Sequence, residues 1–238
     1  FVCFYLGLNF AEAAISAPNF IIIYVDDLGW ADTSVSMMKG DEGSKSDFYQ
    51  TPYLEELAAR GMVFSNSYSP APTCTPSRKS IQFGKTPGRL KYTFVHDVLA
   101  IKRGISWHEE TSMADVLKQS GHDYKTAHFG KGMAAKEYMQ QIGYDITDEY
   151  DIGPNGNFHG EKLDIKSRSP LPADDPKRLR SLTKRSLDFV NEYAGKQPFF
   201  LMVSHYAVHV PHAASPELIE KYRNLPRGKY CHEDDYLP

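Results

Sequence analysis

This chain of 238 residues has few cysteines, no surplus of basic charge and no long apolar run. Its three cysteines, Cys3, Cys74 and Cys231, are too few and too widely spaced for a disulfide scaffold or a zinc ribbon. With 27 basic and 30 acidic side chains, the net charge of -3 leaves no positive surplus to neutralise nucleic-acid phosphates. No apolar run reaches the roughly 20 residues of a membrane-spanning helix. We therefore expect no nucleic-acid partner and no stable membrane insertion.

The residues that are plentiful indicate a folded globular protein, because aromatic residues, at 13%, are too frequent for a disordered chain. Apolar runs that alternate with amphipathic segments predict an α/β fold, with a mainly parallel sheet sandwiched between helices. We expect the first strand to be covered on both faces, since it is apolar without alternation. The predicted strands are 19–25, 62–68, 124–129 and 197–204; the predicted helices are 51–60, 112–120, 176–193 and 215–223; the predicted loops are 69–76 and 151–160. The apolar stripe of helix 176–193 is predicted at Leu179, Leu182, Leu187 and Val190.

The first 17 residues differ from the rest of the chain. Phe1 to Phe10 is mostly apolar, and small residues follow at Ala13 to Ala17. This order is typical of the second half of a secretory signal peptide, although a buried first strand or helix would show a similar pattern. We predict a partial signal peptide in residues 1–17, a separate domain in residues 18–238, and an exported protein.

Charged and polar side chains follow three of the predicted strands. Parallel strands bring their carboxyl ends to one edge of the sheet, where such folds bind ligands. The groups are, in chain order, Asp26 with Asp27, Lys131, and His205 with His209. Adjacent carboxylates repel each other unless a cation neutralises them, and their oxygens suit Ca²⁺ or Mg²⁺. A solvated acidic turn would show the same pair, and a lone histidine is often an ordinary loop residue.

Cys74 is the most informative residue, because it lies in a loop rich in proline, serine and threonine and is followed by Arg78. One interpretation is a free surface cysteine. The other is a nucleophile, since a nearby arginine and a helix N-terminus both lower the pKa of a thiol. If residues 77–83 form a helix, its first backbone N–H groups would point at an anion beside Cys74.

The segment Pro72 to Arg78, with the sequence PTCTPSR, resembles the signature of the type I sulfatases, whose core is Cys-x-Pro-Ser-Arg. Further segments are similar to the family and occur in the family's order. They are NFIIIYVDDLGWAD at 19–32, YKTAHFGK at 124–131, GYD at 143–145 and FFLMVSHYAVHVP at 199–211. The chain is therefore identified as a member of this family, with the alkaline-phosphatase-like α/β fold, and residues 18–238 as the N-terminal part of the catalytic domain.

The resemblance implies a chemistry for Cys74. In the family this cysteine is oxidised to formylglycine by a dedicated formylglycine-generating enzyme. The hydrated aldehyde has two hydroxyls: one attacks sulfur and releases the alcohol, and loss of the proton from the other then expels sulfate. Asp26 and Asp27, together with the modified Cys74, would bind a divalent cation, usually Ca²⁺, with Mg²⁺ as the alternative.

The resemblance also implies roles for three further side chains. Arg78 would hold the hydrated aldehyde, and Lys131 would neutralise charge on the sulfate oxygens. His209 would contact the sulfate or the leaving oxygen, whereas His205 is expected either to support the residues that contact the substrate or to be structural. The implied substrate is a sulfated carbohydrate or small molecule, and the implied location is secreted, periplasmic or lysosomal.

This sequence departs from the family pattern in places. Gly132 and Met133 replace the usual Trp-His after the lysine, so one polar contact is missing, and Gln82 with Phe83 replaces more usual aliphatic and small residues. The family completes its metal site with a later Asp-Asn pair and adds a second lysine, and nothing similar follows His209. We expect this fragment to be inactive by itself.

Two alternatives stay open. One is a truncated non-catalytic remnant or a binder of sulfated ligands. The other is a phosphatase or phosphodiesterase of the same superfamily, although those relatives generally use serine or threonine as the nucleophile.

Overall fold

The computed structural model describes residues 17–95, 97, 102–104, 109–133, 136–148, 175–210 and 212–229. Most of the predicted signal segment and the predicted loop 151–160 lie outside the described residues. The strands are β1 (Phe20–Tyr24), β2 (Lys125–Gly130), β3 (Ile146–Thr147) and β4 (Phe199–Ser204). The helices are α1 (Pro52–Arg60), α2 (Cys74–Phe83), α3 (Met113–Lys118), α4 (Lys136–Gln141), α5 (Leu179–Tyr193) and α6 (Pro216–Arg223), and short 3-10 turns span Glu42–Ser44 and Pro176–Arg178.

The four strands form one parallel sheet in the order β1-β4-β2-β3. β4 lies between β1 and β2, and its Phe200 is opposite Phe20 of β1 on one side and Thr126 of β2 on the other. β4 is buried along its whole length because it has a neighbouring strand on each side and apolar clusters above and below. The α/β fold class predicted from the sequence is confirmed.

Helices cover both faces of the sheet. On one face, residues of α2, α3 and α4 pack with Phe200 and Met202 of β4. On the other face, Leu182 and Phe189 of α5 pack against alternate residues of β2 and β4. The alternation follows from the strand period of two, which directs successive side chains to opposite faces. None of the helices in the described ranges has the length and apolar character needed to cross a membrane.

Helix ends agree well with the sequence signals. Pro52 and Pro216 are the first residues of α1 and α6, a position where the missing N–H of proline has no intrahelical partner to lose. Ser112 caps α3 in a reciprocal arrangement: its hydroxyl accepts from Asp115 N and its own N–H donates to the Asp115 carboxylate.

Four expectations are wrong. The predicted loop 69–76 ends at Thr73, because α2 begins at Cys74. Residues 62–68 contain no strand, since β-type residues form a strand only where a neighbouring strand accepts their hydrogen bonds. β1 is not covered on both faces, and Ile23 is 62% exposed. Leu187 is 56% exposed and Phe189 is buried in its place, because Leu187 lies about 140° around α5 from Leu182.

Candidate active site

Asp26 lies two residues after the end of β1, at the carboxyl edge of the sheet, and is buried. The backbone fixes it there, because Asp26 N donates to Ala207 O at 2.8 Å and Val208 N donates to Asp26 O at 2.6 Å. The loop after β4 therefore continues the pairing between β4 and β1 and carries His209 to the same place. The polar groups predicted after β1 and β4 are brought together.

Two cationic side chains meet on the Asp26 carboxylate. Arg78 donates from Nη2 to Oδ1 at 3.0 Å, and Lys131 donates from Nζ to Oδ2. Arg78 also donates from Nη1 to the Lys131 carbonyl at 2.6 Å, and its guanidinium lies over the Tyr24 ring at 4.8 Å. All three charged side chains are almost completely buried. Burial raises the pKa of the Asp26 carboxyl, but Arg78 and Lys131 outweigh that effect, and the pKa lies below its usual value.

The backbone of Lys131 is held at the end of β2 by two contacts. Lys131 N donates to Ser204 O at 2.8 Å, and the preceding Gly130 N donates to the Asp148 carboxylate. Arg185 of α5 pairs with the other oxygen of Asp148. Gly130 has a φ of +95°, and a Cβ there would lie 2.0 Å from Ser204 O. The glycine therefore permits the close approach of β2 and β4 that directs Lys131 to Asp26.

Asp27 and His209 form the exposed side of the site. His209 Nε2 lies 3.9 Å from Asp27 Oδ2. His209 Nδ1 is 2.6 Å from Val210 O, and a carbonyl can only accept, so the proton of the neutral ring is on Nδ1. A lone pair on Nε2 then faces the Asp27 carboxylate. A proton or a metal cation between the two groups would relieve that repulsion.

The ligand atoms of Asp26, Asp27 and His209 all lie within 4.8 Å of one another. The two carboxylates fit a hard divalent cation, and each carboxylate oxygen of Asp26 keeps a lone pair beyond the hydrogen bond it accepts. The imidazole nitrogen, which the sequence did not predict as a ligand, is a softer donor. Cys74, which was predicted to contact the metal, is not a member of this group.

Cys74 is the first residue of α2, three residues earlier than the sequence suggested for a helix start. Its thiol is partly buried and free, and it lies within electrostatic range of Tyr24 and Tyr92. Arg78 follows one helical turn later, and this spacing places both side chains on the same face of α2. The helix thus connects the predicted nucleophile to the Asp26 cluster.

The departures from the family pattern have structural explanations. Gln82 is buried, its amide accepts from the Tyr144 hydroxyl at 2.9 Å, and it donates to Met202 Sδ at 3.0 Å. Met133 packs, partly buried, against the apolar cluster that contains Phe83 and Met202.

His205 donates its backbone N–H to Tyr24 O at 2.7 Å, and burial lowers the pKa of its ring.

The sequence did not predict Lys177 as a site residue. This lysine is 1% exposed, and its charge is within electrostatic range of Lys131, Asp26 and Asp27. No motif marks it, because it lies in a short irregular turn before α5. The only available signal was a lysine in the first turn of the predicted helix 176–193, which is common on protein surfaces.

Comparisons with known proteins show which family the chain resembles. The profile of the family described as Sulfatase matches residues 18–231. Human N-acetylgalactosamine-6-sulfatase is 30% identical over 250 residues, which are 92% of this chain and 44% of that protein. Human arylsulfatase A is 27% identical over 257 residues, which are 97% of this chain and 49% of that protein. The chain thus spans about half the length of these curated relatives.

Solved structures support the fold. One is a Bacteroides thetaiotaomicron protein described in connection with the metabolism of multiple glycosaminoglycans; it superposes with a TM-score of 0.64 at 22% identity, over 87% of this chain and 54% of that one. Another, solved in complex with its substrate D-glucosamine-2-N,6-O-disulfate, has a TM-score of 0.61 at 20% identity, over 89% of this chain and 39% of that one.

The fold and the site together define an α/β protein whose parallel sheet presents a carboxylate and cation cluster beside a cysteine at a helix N-terminus. Because the family profile covers most of the chain, the chain belongs to the sulfatase family.

Proposed function

We propose that this chain is the N-terminal part of a sulfatase catalytic domain that hydrolyses sulfate esters, with a formylglycine made from Cys74 as the nucleophile. The observation that carries the proposal is the junction at Asp26. Arg78, one turn after Cys74 on α2, and Lys131, from the end of β2, both bind the carboxylate that follows β1. Three separate segments of the chain therefore converge where a sulfate group would react.

The buried cations prepare the site for an anion. Arg78 is fixed by Asp26 Oδ1 and the Lys131 carbonyl, so its guanidinium can hold the oxygens of residue 74 without rearranging. Lys131 is a point charge on a flexible stem, and it can turn from Asp26 towards a sulfate oxygen. Because both side chains are buried, their attraction for a sulfate ester is weakened little by solvent.

Asp26 and Asp27 would hold the divalent cation, which we propose to be Ca²⁺, with Mg²⁺ as the alternative. When bound, the cation supplies Lewis-acid stabilisation of the nucleophile and of a sulfate oxygen. Direct contact of the modified Cys74 with the cation belongs to the same proposal. His209 presents Nε2 at the exposed side, where it can form a hydrogen bond with the substrate or transfer a proton.

We infer further that the substrate is a sulfated carbohydrate or small molecule. The name of N-acetylgalactosamine-6-sulfatase supports this class, as do the glucosamine disulfate and the neocarrahexaose that two structural neighbours bind. The same proposal includes maturation by a formylglycine-generating enzyme, an exported protein with a signal segment in residues 1–17, and a catalytic domain that begins at residue 18.

Mass spectrometry of the peptide that contains Cys74 tests the nucleophile directly. In full-length protein produced with the formylglycine-generating enzyme, we expect the thiol of Cys74 to be replaced by an aldehyde. Cys74→Ala should abolish hydrolysis of an aryl sulfate, whereas Thr75→Ala, at the variable position of the motif, should keep both the aldehyde and the activity.

An intact thiol in active protein would contradict the formylglycine mechanism. Hydrolysis that survives Cys74→Ala would show that the nucleophile is elsewhere. Aldehyde formation without any sulfate-ester hydrolysis in the full-length protein would favour the non-catalytic, sulfated-ligand-binding alternative.

A further inference from the structure

Asp148 and Arg185 form an ion pair at the end of β2, beside the residue that precedes Lys131. One oxygen of the Asp148 carboxylate, Oδ1, pairs with Nη1 of Arg185 on α5. The other oxygen, Oδ2, accepts a hydrogen bond from Gly130 N. Asp148 is buried and Arg185 is partly buried. Neither residue lies in a motif of the sequence, and neither has a part in the proposed reaction.

The last two backbone N–H groups at the end of β2 are held from opposite sides. On the side of β4, Lys131 N donates to Ser204 O at 2.8 Å. On the side of β3, Gly130 N donates to the Asp148 carboxylate. β3 itself ends at Thr147, so the side chain of the next residue takes the place of a strand backbone as the acceptor. Asp148 thus completes the hold on the peptide from which the Lys131 side chain extends.

Lys131 acts at short range, so the position of its backbone matters. Lys131 Nζ binds the Asp26 carboxylate, and the Lys131 carbonyl accepts from Arg78 Nη1 at 2.6 Å. A rotation or shift of residues 130–131 would therefore move the ammonium of Lys131 and weaken the hold on the guanidinium of Arg78 at the same time. A misplacement of about 1 Å at a reacting group can lower a rate roughly a hundredfold.

Arg185 keeps the Asp148 carboxyl in the form that binds Gly130 best. Burial raises the pKa of the Asp148 carboxyl, whereas the charge of Arg185 and the hydrogen bond from Gly130 N lower it. An ionised carboxylate is a stronger acceptor for a backbone N–H than the neutral acid. The guanidinium of Arg185 also lies over the Phe129 ring at 6.0 Å. The ion pair therefore ties α5 to the end of β2.

We propose, on the basis of the proposed sulfatase function, that Asp148, supported by Arg185, is a positioning residue that holds Lys131 in place for the sulfate group. Asp148 acts through the backbone of Gly130 and does not itself contact the substrate. Its removal should leave the sheet folded but displace the ammonium of Lys131 from the site.

Asp145 makes the same kind of contacts near the other end of β2 and supplies a matched control. Its carboxylate accepts from Thr126 N at 2.9 Å and pairs with Lys118 Nζ at 2.5 Å. Thr126 lies near the start of β2. Asp145→Ala therefore removes an ion pair and an acceptor for a backbone N–H from the same strand, but it leaves the end that bears Lys131 intact.

Amine acetylation of the full-length protein, followed by mass spectrometry, tests the position of Lys131 without turnover. Lys131 is buried in its ion pair with Asp26, so the wild type should be acetylated slowly there. In Asp148→Ala we expect about tenfold faster acetylation of Lys131, with Lys79, a buried lysine of α2, unchanged. Asp145→Ala should leave Lys131 as in the wild type. Equal acceleration at Lys131 and Lys79, equal effects of the two variants, or no acceleration would overturn the proposal.

Hydrolysis of an aryl sulfate by the full-length protein measures the consequence for the reaction. Asp148→Ala should lower kcat/KM about ten- to a hundredfold, and Asp145→Ala should stay within about twofold of the wild type. Asp148→Asn keeps an acceptor oxygen for Gly130 N and should recover part of the loss. Because Asp148 acts through Lys131, adding Asp148→Ala to Lys131→Ala should lower kcat/KM by no more than about twofold. A further loss as large as that of Asp148→Ala alone would overturn the proposal.

The two proposals can fail separately. Wild-type protein that hydrolyses an aryl sulfate, while Asp148→Ala keeps kcat/KM within about twofold, overturns only the role of Asp148. If the wild type hydrolyses no sulfate ester, the proposed sulfatase function fails, and the acetylation rates still decide whether Asp148 positions Lys131. If Asp148→Ala does not fold, Asp148→Asn replaces it, compared with Asp145→Asn under the same criteria and with a smaller effect expected in the same direction.

Discussion

Arg78 and Lys79 are adjacent buried cations on α2, and the fold stabilises them in different ways. Arg78 pairs with the carboxylate of Asp26. Lys79 lies over the rings of Tyr92 and Tyr138, each 5.1 Å from its ammonium, and burial lowers its pKa to about 8. The faces of aromatic rings attract a cation, but this attraction is too weak to offset the hydration that the ammonium of Lys79 loses on burial. The two environments can therefore be tested separately, at Lys79 and at the Asp26 carboxylate that pairs with Arg78.

Lys79→Met should remove a pH dependence of stability. The folded-state pKa of about 8 is below the ordinary value of 10.5, so the unfolded chain binds more protons between these values. Stability of the wild type should therefore rise as the pH increases from about 8 to about 10. Urea denaturation of the full-length protein at several pH values should show a smaller rise for Lys79→Met, with Lys184→Met as the control. Parallel curves for Lys79→Met and the wild type would contradict the prediction.

Asp26→Asn should be strongly destabilising because it leaves Arg78 and Lys131 buried without their carboxylate. Breaking a buried charge pair by removing one partner costs about 3–5 kcal/mol. The control is Asp188→Asn, which breaks an exposed pair with Lys184 on α5 and should cost less than about 1 kcal/mol. Chemical denaturation of both full-length variants measures the difference, and equal free energies of unfolding would show that the Asp26 cluster does not stabilise the fold.

At the scale of elements, the approach of β2 to β4 is what places Lys131, and it depends on Gly130. In Gly130→Ala the new Cβ would lie 2.0 Å from the backbone oxygen of Ser204, so the strands must separate. We expect Gly130→Ala to lower the free energy of unfolding by about 2–4 kcal/mol, because neither backbone can move without disturbing the sheet. Gly195→Ala is the matched control: its φ of +75° is also left-handed, but no atom lies within 4 Å of the added Cβ. Thermal unfolding measures both variants. If Gly130→Ala loses no more stability than Gly195→Ala, the close approach of β2 and β4 does not depend on Gly130.

Some helices and part of the site could be predicted from the local sequence, and others could not. Helices α1 and α6 could be predicted because proline at their first residues and periodic apolar residues act locally. The convergence of Asp26, Lys131 and His209 could also be anticipated, because parallel strands share a carboxyl edge. The false strand at 62–68 and the buried Lys177 could not, since each depends on contacts with distant parts of the chain.

At the scale of the whole molecule, the sheet is covered unevenly. Helix α5 packs on β2 and β4, whereas Ile21 and Ile23 of β1, which point to the same face, are 51% and 62% exposed. Helix α1 buries none of its own residues, and Tyr53 and Leu57 are exposed as well. Neighbouring exposed apolar side chains on one face of a sheet, such as Ile21 and Ile23, are typical of a contact region. Because the relatives are about twice as long, we infer that further polypeptide of the full-length protein covers β1.

Substitution of Ile23 in two polypeptides of different length tests that inference. In the full-length protein, Ile23→Lys should cost about 2–4 kcal/mol, because a charge would replace an apolar side chain in a buried contact. In the polypeptide of residues 1–238, the same change should leave stability within about 0.5 kcal/mol and reduce binding of an apolar dye, since Ile23 is exposed there. Leu187→Lys, at a similarly exposed position on α5, should be neutral in both polypeptides. If Ile23→Lys is neutral in the full-length protein too, the face of β1 stays open to solvent, and the additional polypeptide packs elsewhere.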